Sequence, residues 1–119
     1  MRDFRRLKVW TRSHGITLDV YRVTRPFPKD ELYGLRSQIR RAAASVCANI
    51  AEGCGRRGGA EFARFLDIAL GSASELEYHL LLSADLDLID QDDHARLNDS
   101  VTQVKRMLTG LLNKLRADT

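Results

Sequence analysis

Proline occurs at only two positions in this chain, Pro26 and Pro28, and none follows them. Proline removes a backbone donor and clashes with the preceding helical turn, so long uninterrupted helices are permitted on both sides of one early punctuation point. The apolar residues follow that permission. Leu7, Trp10, Ile16, Val20 and Tyr21 predict a first helix over 7–23, which Gly15 weakens by up to about 1 kcal/mol relative to alanine. The segment TRPFPKDE stops it, because a residue before proline is pushed out of the helical region. Pro28, with Asp30 and Glu31 close behind, suits the first turn of a second helix, where a missing N–H is harmless and negative charge is favoured. That helix is expected over 29–51, with Leu32, Leu35, Ile39, Ala42 or Ala43, Val46 and Ile50 facing inward. Its small residues Ala42, Ala43, Ala44, Ser45 and Ala48 allow a neighbouring helix to approach closely. Gly53 reads as a left-handed cap and GCGRRGG as a loop.

A third helix is expected over 60–86, where Phe62, Phe65, Leu66, Ala69, Ala73, Leu76, Leu80 and Ala84 recur on successive turns. Leu70, Leu81 and Leu82 widen its apolar arc beyond what one core needs, which points to a central helix or to one that also faces another subunit. Asp90, three residues before Asp93, makes a cap for a fourth helix over 92–115, which carries Leu97, Val101, Val104, Leu108, Leu111 or Leu112, and Leu115. With short connections and no alternating strand pattern, the chain reads as all-α: an antiparallel up-down-up-down four-helix bundle in a single domain, 1–119.

A content of 44% hydrophobic and 29% charged residues is that of a globular chain, and a bundle of 119 residues gains from partner subunits. The opening MRDFRRLKVW lacks the apolar core of a secretory signal. Glu75, Glu77, Asp85 and Asp87 break the longest apolar runs, so no membrane span and a cytoplasmic location are expected. The spacing of Cys47 and Cys54 is neither a metal pair nor a redox pair; Cys47 reads as a small packed residue and Cys54 as a free thiol near a turn.

Charge is unevenly placed. Residues 1–57 hold 13 Lys or Arg against 5 Asp or Glu, a net of +8, whereas 58–119 hold 6 against 11, a net of −5. Such a molecule has one part suited to a polyanion, or two parts suited to docking copies head to tail. Arg36 and Arg40 lie one helical turn apart, Arg41 extends them, Arg56 and Arg57 follow in the loop, and Lys8 and Arg12 add charge near the start of the first helix. Cations so arranged can straddle phosphates with little regard for base sequence, although a solvated face neutralised by neighbouring carboxylates reads equally well. Trp10, Tyr21, Phe62 and Phe65 fall on apolar stripes and read as core, with no aromatic series interleaved among the arginines.

Catalytic patterns are weak. A carboxylate-bridged metal site in a four-helix bundle needs Glu-x-x-His, but here Glu75 and His79 are four apart and His14 and His94 stand elsewhere. Glu75 and His79 instead make a pair on one helix face. No serine or cysteine has a base at diagnostic spacing, and GCGRRGG lacks the Lys-Ser or Lys-Thr of a phosphate loop. No catalytic residue, metal ligand or cofactor is therefore assigned. Ser45, Asn49 and Glu52 on the second helix, with Ser72 and Glu75 on the third, suggest a mutually hydrogen-bonded polar cluster that fixes helix register or lines a subunit junction, with a ligand or ion pocket as the alternative.

The ordered segments Tyr33-Gly34-Leu35, Gln38-x-Arg40-Arg41-Ala42, Asn49-Ile50-Ala51-Glu52-Gly53, Glu61-Phe62-x-x-Phe65-Leu66-x-Ile68-Ala69 and Gly71-Ser72-x-x-Glu75-Leu76 closely resemble the bacterial four-helix bundle family that includes proteins encoded in intervening sequences of 23S ribosomal RNA genes. Phe4-x-x-Leu7-x-x-Trp10 and Thr24-x-x-Phe27-Pro28 are similar to it too, so the resemblance spans nearly the whole chain. It implies a non-enzymatic protomer that assembles as a ring-shaped homopentamer with a central opening, with RNA or DNA as expected partner. A structural or protein-interaction scaffold ring is the alternative. The related accessory protein of diversity-generating retroelements forms a basic pentameric barrel, which by analogy alone implies a reverse transcriptase-like partner. Arg40, Arg41, Asn49, Glu52, Glu61, Ser72 and Glu75 match the family's polar signature. Two departures stand out: Val46-Cys47-Ala48 where proline is frequent, expected to leave the second helix straighter, and Gly58-Gly59, expected to loosen the start of the third.

Overall fold

Asp3 organises the first turn: its carboxylate accepts the Arg5 N–H at 3.1 Å and shapes a 3-10 turn over Phe4–Arg6. The structure, a computed structural model, describes residues 2–118. Four helices follow, α1 Lys8–Val23, α2 Leu35–Gly55, α3 Gly59–Asp85 and α4 Gln91–Ala117, and no strand occurs among the described residues. Each helix packs on its sequence neighbour and α1 closes the square against α4, as an up-down-up-down bundle requires. The α2–α3 interface is the most extensive and the α1–α4 interface the least. Phe62, Ile39, Ile50, Leu66, Leu76, Leu80, Leu97 and Leu108 fill the core completely buried, each contributing about 1.5–3 kcal/mol relative to exposure.

The second helix begins later than its sequence suggests. Pro28 precedes a separate 3-10 turn, Lys29–Glu31, and α2 starts only at Leu35, which leaves Leu32 outside it and half-buried. The acid that seemed to open this helix still serves it. Glu31 Oε1 accepts the Leu35 N–H at 3.1 Å, satisfying one of the donors that a helix start leaves orphaned. A side chain at Gly34 would put its Cβ 2.8 Å from that same oxygen, so the glycine gives the cap its room.

At its other end α2 runs past Gly53, which is not a left-handed cap. Gly53 is buried, and a Cβ there would stand 2.9 Å from Phe65 Cβ and 3.1 Å from the Phe62 ring, so its missing side chain is a close-approach site for α3. Cys54 is a free thiol in the last turn of α2, as expected, but it is buried there rather than open to the turn. The expected loop shrinks to 56–58, and the left-handed conformation falls on Gly58, at φ +81°, ahead of an α3 that starts without a side-chain cap. Asp90 caps α4 as expected, accepting the Asp93 N–H at 2.7 Å.

Two readings of apolar residues change. Tyr21 is exposed rather than in the core, and Leu81 on α3 is about half exposed together with Ile68 and Tyr78. The broad arc of α3 is therefore partly open to the outside.

Candidate nucleic-acid interface

Where α1 ends and α2 begins, Arg40 joins the two. Its Nε donates to Thr24 Oγ1 at 2.8 Å, its Nη2 donates to the Tyr21 carbonyl at 3.0 Å, and its guanidinium lies 4.4 Å from the centre of the Tyr21 ring. Helix ends leave carbonyls without partners, and a cation there is favoured by the helix dipole. Thr24 is wholly buried; its hydroxyl donates to the Val20 carbonyl at 2.7 Å while accepting from Arg40. Burial, followed by the positive charges of Arg36 and Arg25, pulls the Arg40 pKa down from its ordinary value. Three arginines thus share one field, and among the described residues neither Arg25 nor Arg36 has an ion pair.

This corner holds an open groove of about 670 Å³ lined by Tyr21, Leu32, Tyr33, Arg36, Ser37, Arg40 and Arg41, none of them acidic. Arg41 is engaged, donating to Gln38 Oε1 at 2.8 Å and pairing with Glu75 of α3. Tyr33 is 95% exposed.

The other cations expected to act with these lie elsewhere. Lys8 and Arg12 border a second groove, about 560 Å³, between α1 and α4, together with Arg6, Asp19 and Arg96. At about 100° per residue these α1 positions face away from Tyr21. Arg96 there is clamped, donating to both carboxylate oxygens of Asp19 at 3.0 Å and to Asp93 at 2.7 Å. Arg56 and Arg57 occupy the α2–α3 turn, about 30 Å along α2 from Arg36 at 1.5 Å per residue. Arg56 lies 3.8 Å from Glu52 and over the Phe65 ring. Seven expected site residues therefore divide among three places, and only Arg36, Arg40 and Arg41 form a continuous surface.

The polar signature set divides as well. Ser45 and Ser72 hydroxyls meet at 2.9 Å across α2 and α3, and Asn49 Nδ2 donates to the Ser45 carbonyl at 2.8 Å and to its hydroxyl at 3.1 Å. One turn along, Glu75 bonds His79 Nε2 at 3.1 Å as well as Arg41; burial pushes its pKa up, but His79 and Arg41 outweigh that and hold it below the ordinary carboxylate value. Glu52 and Glu61 stand apart, bound to Arg56 and Arg64. The seam is half-exposed, and the Ser45–Ser72 hydrogen bond ties α2 to α3 across it.

Sequence reasoning missed Tyr21 and Tyr33 as groove residues, and Arg25 as a charge that acts on Arg40 from beside the groove. Tyr21 sits on an apolar spacing, and Arg25 lies in the proline-marked connection, where helical periodicity assigns no face. Tyr33 beside Gly34 carried a usable signal: a large aromatic residue at a break between helices has no core stripe to join.

A family model described as 23S rRNA-intervening sequence protein matches residues 5–110. A crystal structure of a protein of unknown function from the S23 ribosomal protein family of Bacteroides thetaiotaomicron aligns with a TM-score of 0.79 at 25% identity, covering 87% of this chain and 97% of that one. No curated protein matches the chain. No helix among the described residues is long and apolar enough to cross a membrane.

Proposed function

Because the chain belongs to the 23S rRNA-intervening sequence protein family, we propose that it is a non-enzymatic, oligomeric bundle that binds nucleic acid through the basic groove where α1 meets α2. The observation that carries this reading is the pair Arg25 and Arg36, without carboxylate partners among the described residues, beside an Arg40 whose charge they already disfavour. Phosphate is the natural counter-charge for such a cluster, and a surface of this kind binds through released counterions with a steep dependence on salt. Arg40 itself holds α1 to α2, so its loss would confound folding with binding.

The decisive experiment is fluorescence anisotropy of a structured RNA and an equal-length duplex DNA at two salt concentrations, with the wild type and an Arg25→Ala/Arg36→Ala double variant. We expect wild-type binding that weakens with salt, and a variant whose salt slope falls by about one for each phosphate it no longer neutralises. Absence of binding to both probes at low salt, or a double variant with unchanged affinity, would overturn the proposal.

A scaffold ring is the second reading, supported by the exposed Leu18, Tyr78 and Leu81 on the outer faces of α1 and α3. Membership of the family, a cytoplasmic setting and a ring of five copies fit together here, and the ring multiplies the same basic groove around one axis.

A further inference from the structure

Resting on the nucleic-acid reading above, we infer that the groove is built for an unpaired nucleotide, with Tyr33 as the platform on which a single-stranded base stacks and Arg36 in the groove, with Arg25 beside it, as the clamps on its flanking phosphates. A single exposed aromatic is ordinary on a protein surface. This one differs in its setting. Tyr33 is 95% exposed and borders an open groove whose remaining charged residues are all arginines. Its ring contributes nothing to the core, so packing gives no reason for an aromatic there.

Its backbone, by contrast, is anchored. Tyr33 lies between the Lys29–Glu31 turn and the first residue of α2, and the Glu31 carboxylate bonded to the Leu35 N–H at 3.1 Å spans it from both sides. Gly34 keeps that carboxylate in place, since any Cβ would crowd it at 2.8 Å. A ring presented from a fixed backbone loses less freedom on stacking than one on a flexible loop. Tyr21, 42% exposed in the same groove, has Arg40 over its ring at 4.4 Å, which makes a second, cation-backed surface beside the first.

Stacking selects the substrate class. A base inside a duplex has both faces covered by its neighbours, whereas an unpaired base offers a face to an aromatic ring, at a gain that is largely independent of sequence. Phosphates are common to both polymers, so the arginines alone would bind either. Tyr33 is the element that separates them.

The test uses the full-length protein, a labelled single-stranded RNA, the same strand in a duplex, and a polyglutamate peptide. Wild type should bind the single strand more tightly than the duplex. Tyr33→Ala should lower single-strand affinity about tenfold or more while leaving duplex affinity unchanged, and Tyr33→Trp should restore it with quenching of the new indole by the bound base. Equal affinity for strand and duplex, together with an innocuous Tyr33→Ala, would overturn the stacking inference while leaving phosphate binding standing. Binding of polyglutamate as tightly as RNA would overturn it in favour of an acidic protein partner. If wild type binds none of the three at low salt, both readings fall together.

Discussion

At the scale of single residues, the glycines show how one sequence symbol covers opposite requirements. Gly15 lies mid-helix, exposed, and a Cβ there would meet nothing within 4 Å. Gly15→Ala should therefore stabilise the protein by up to about 1 kcal/mol, raising the thermal midpoint by a few degrees. Gly53 is the reverse case. Its Cβ would stand 2.9 Å from Phe65 Cβ, an atom fixed to the α3 backbone, so the two helices would have to part. The packing cost of about 1–3 kcal/mol exceeds the helix-propensity gain, and Gly53→Ala should melt lower than wild type. An equal or higher midpoint for Gly53→Ala would contradict the close approach. In sequence, a glycine ending an apolar run signals a cap, and a glycine admitting a neighbouring helix carries the same letter; only the partner's position separates them. The same ambiguity hid Cys54, whose burial follows from the helix continuing past Gly53.

At the scale of elements, what periodicity encodes was legible, and what sits between periodic segments was not. The inward residues Ile39, Val46, Ile50, Leu66, Leu76, Leu97, Val101, Val104 and Leu108 are buried where the helical repeat puts them. The start of α2 is easily misplaced because proline followed by acids is a helix-start signal that a 3-10 turn satisfies equally well. Contacts between elements are likewise unreadable from spacing: Asp19 and Arg96, far apart in sequence, tie α1 to α4 along the least extensive interface of the bundle. Burial pushes the Asp19 pKa up, yet hydrogen bonds from Arg96 and Arg22 outweigh it and leave it below the ordinary value. A carboxylate that holds its proton less tightly folded than unfolded stabilises the fold fully above its unfolded pKa near ~4, and that stabilisation is lost as pH falls through the folded value. Since Arg96 is 45% exposed, solvent screening keeps the contribution at or below about 1 kcal/mol. Asp19→Asn should consequently melt a few degrees below wild type at neutral pH, and the two melting curves should converge on acidification. A gap that persists undiminished at acid pH would mean that the bridge is not its source.

At the scale of the whole molecule, charge and apolar surface are unevenly distributed. The bundle measures 47 × 23 × 20 Å, long enough to keep the Arg36 corner and the Arg56–Arg57 turn at separate places along it. The acidic stretch Asp85, Asp87, Asp90 and Asp92 surrounds the α3–α4 connection, and none of the four lines the α1–α2 groove. Exposed apolar residues also fall on two helices that do not touch, Leu18 on α1 and Tyr78 with Leu81 on α3. Patches on diagonal helices cannot join each other through a two-fold axis. They suit a heterologous contact, in which α3 of one copy meets α1 of the next, and such a contact closes into a ring when the rotation between copies permits. Light scattering at micromolar concentration should then give a mass several times that of the 13.5 kDa chain. Leu81→Glu should reduce that mass to a single chain while leaving far-ultraviolet circular dichroism unchanged, because Leu81 is 47% exposed and lies outside the core. A wild type that stays monomeric would remove the ring, and with it the repetition of the arginine groove around a common axis. The groove of one protomer would then have to bind on its own charge, and the single-strand affinity of the Leu81→Glu monomer measures how much of the binding that leaves.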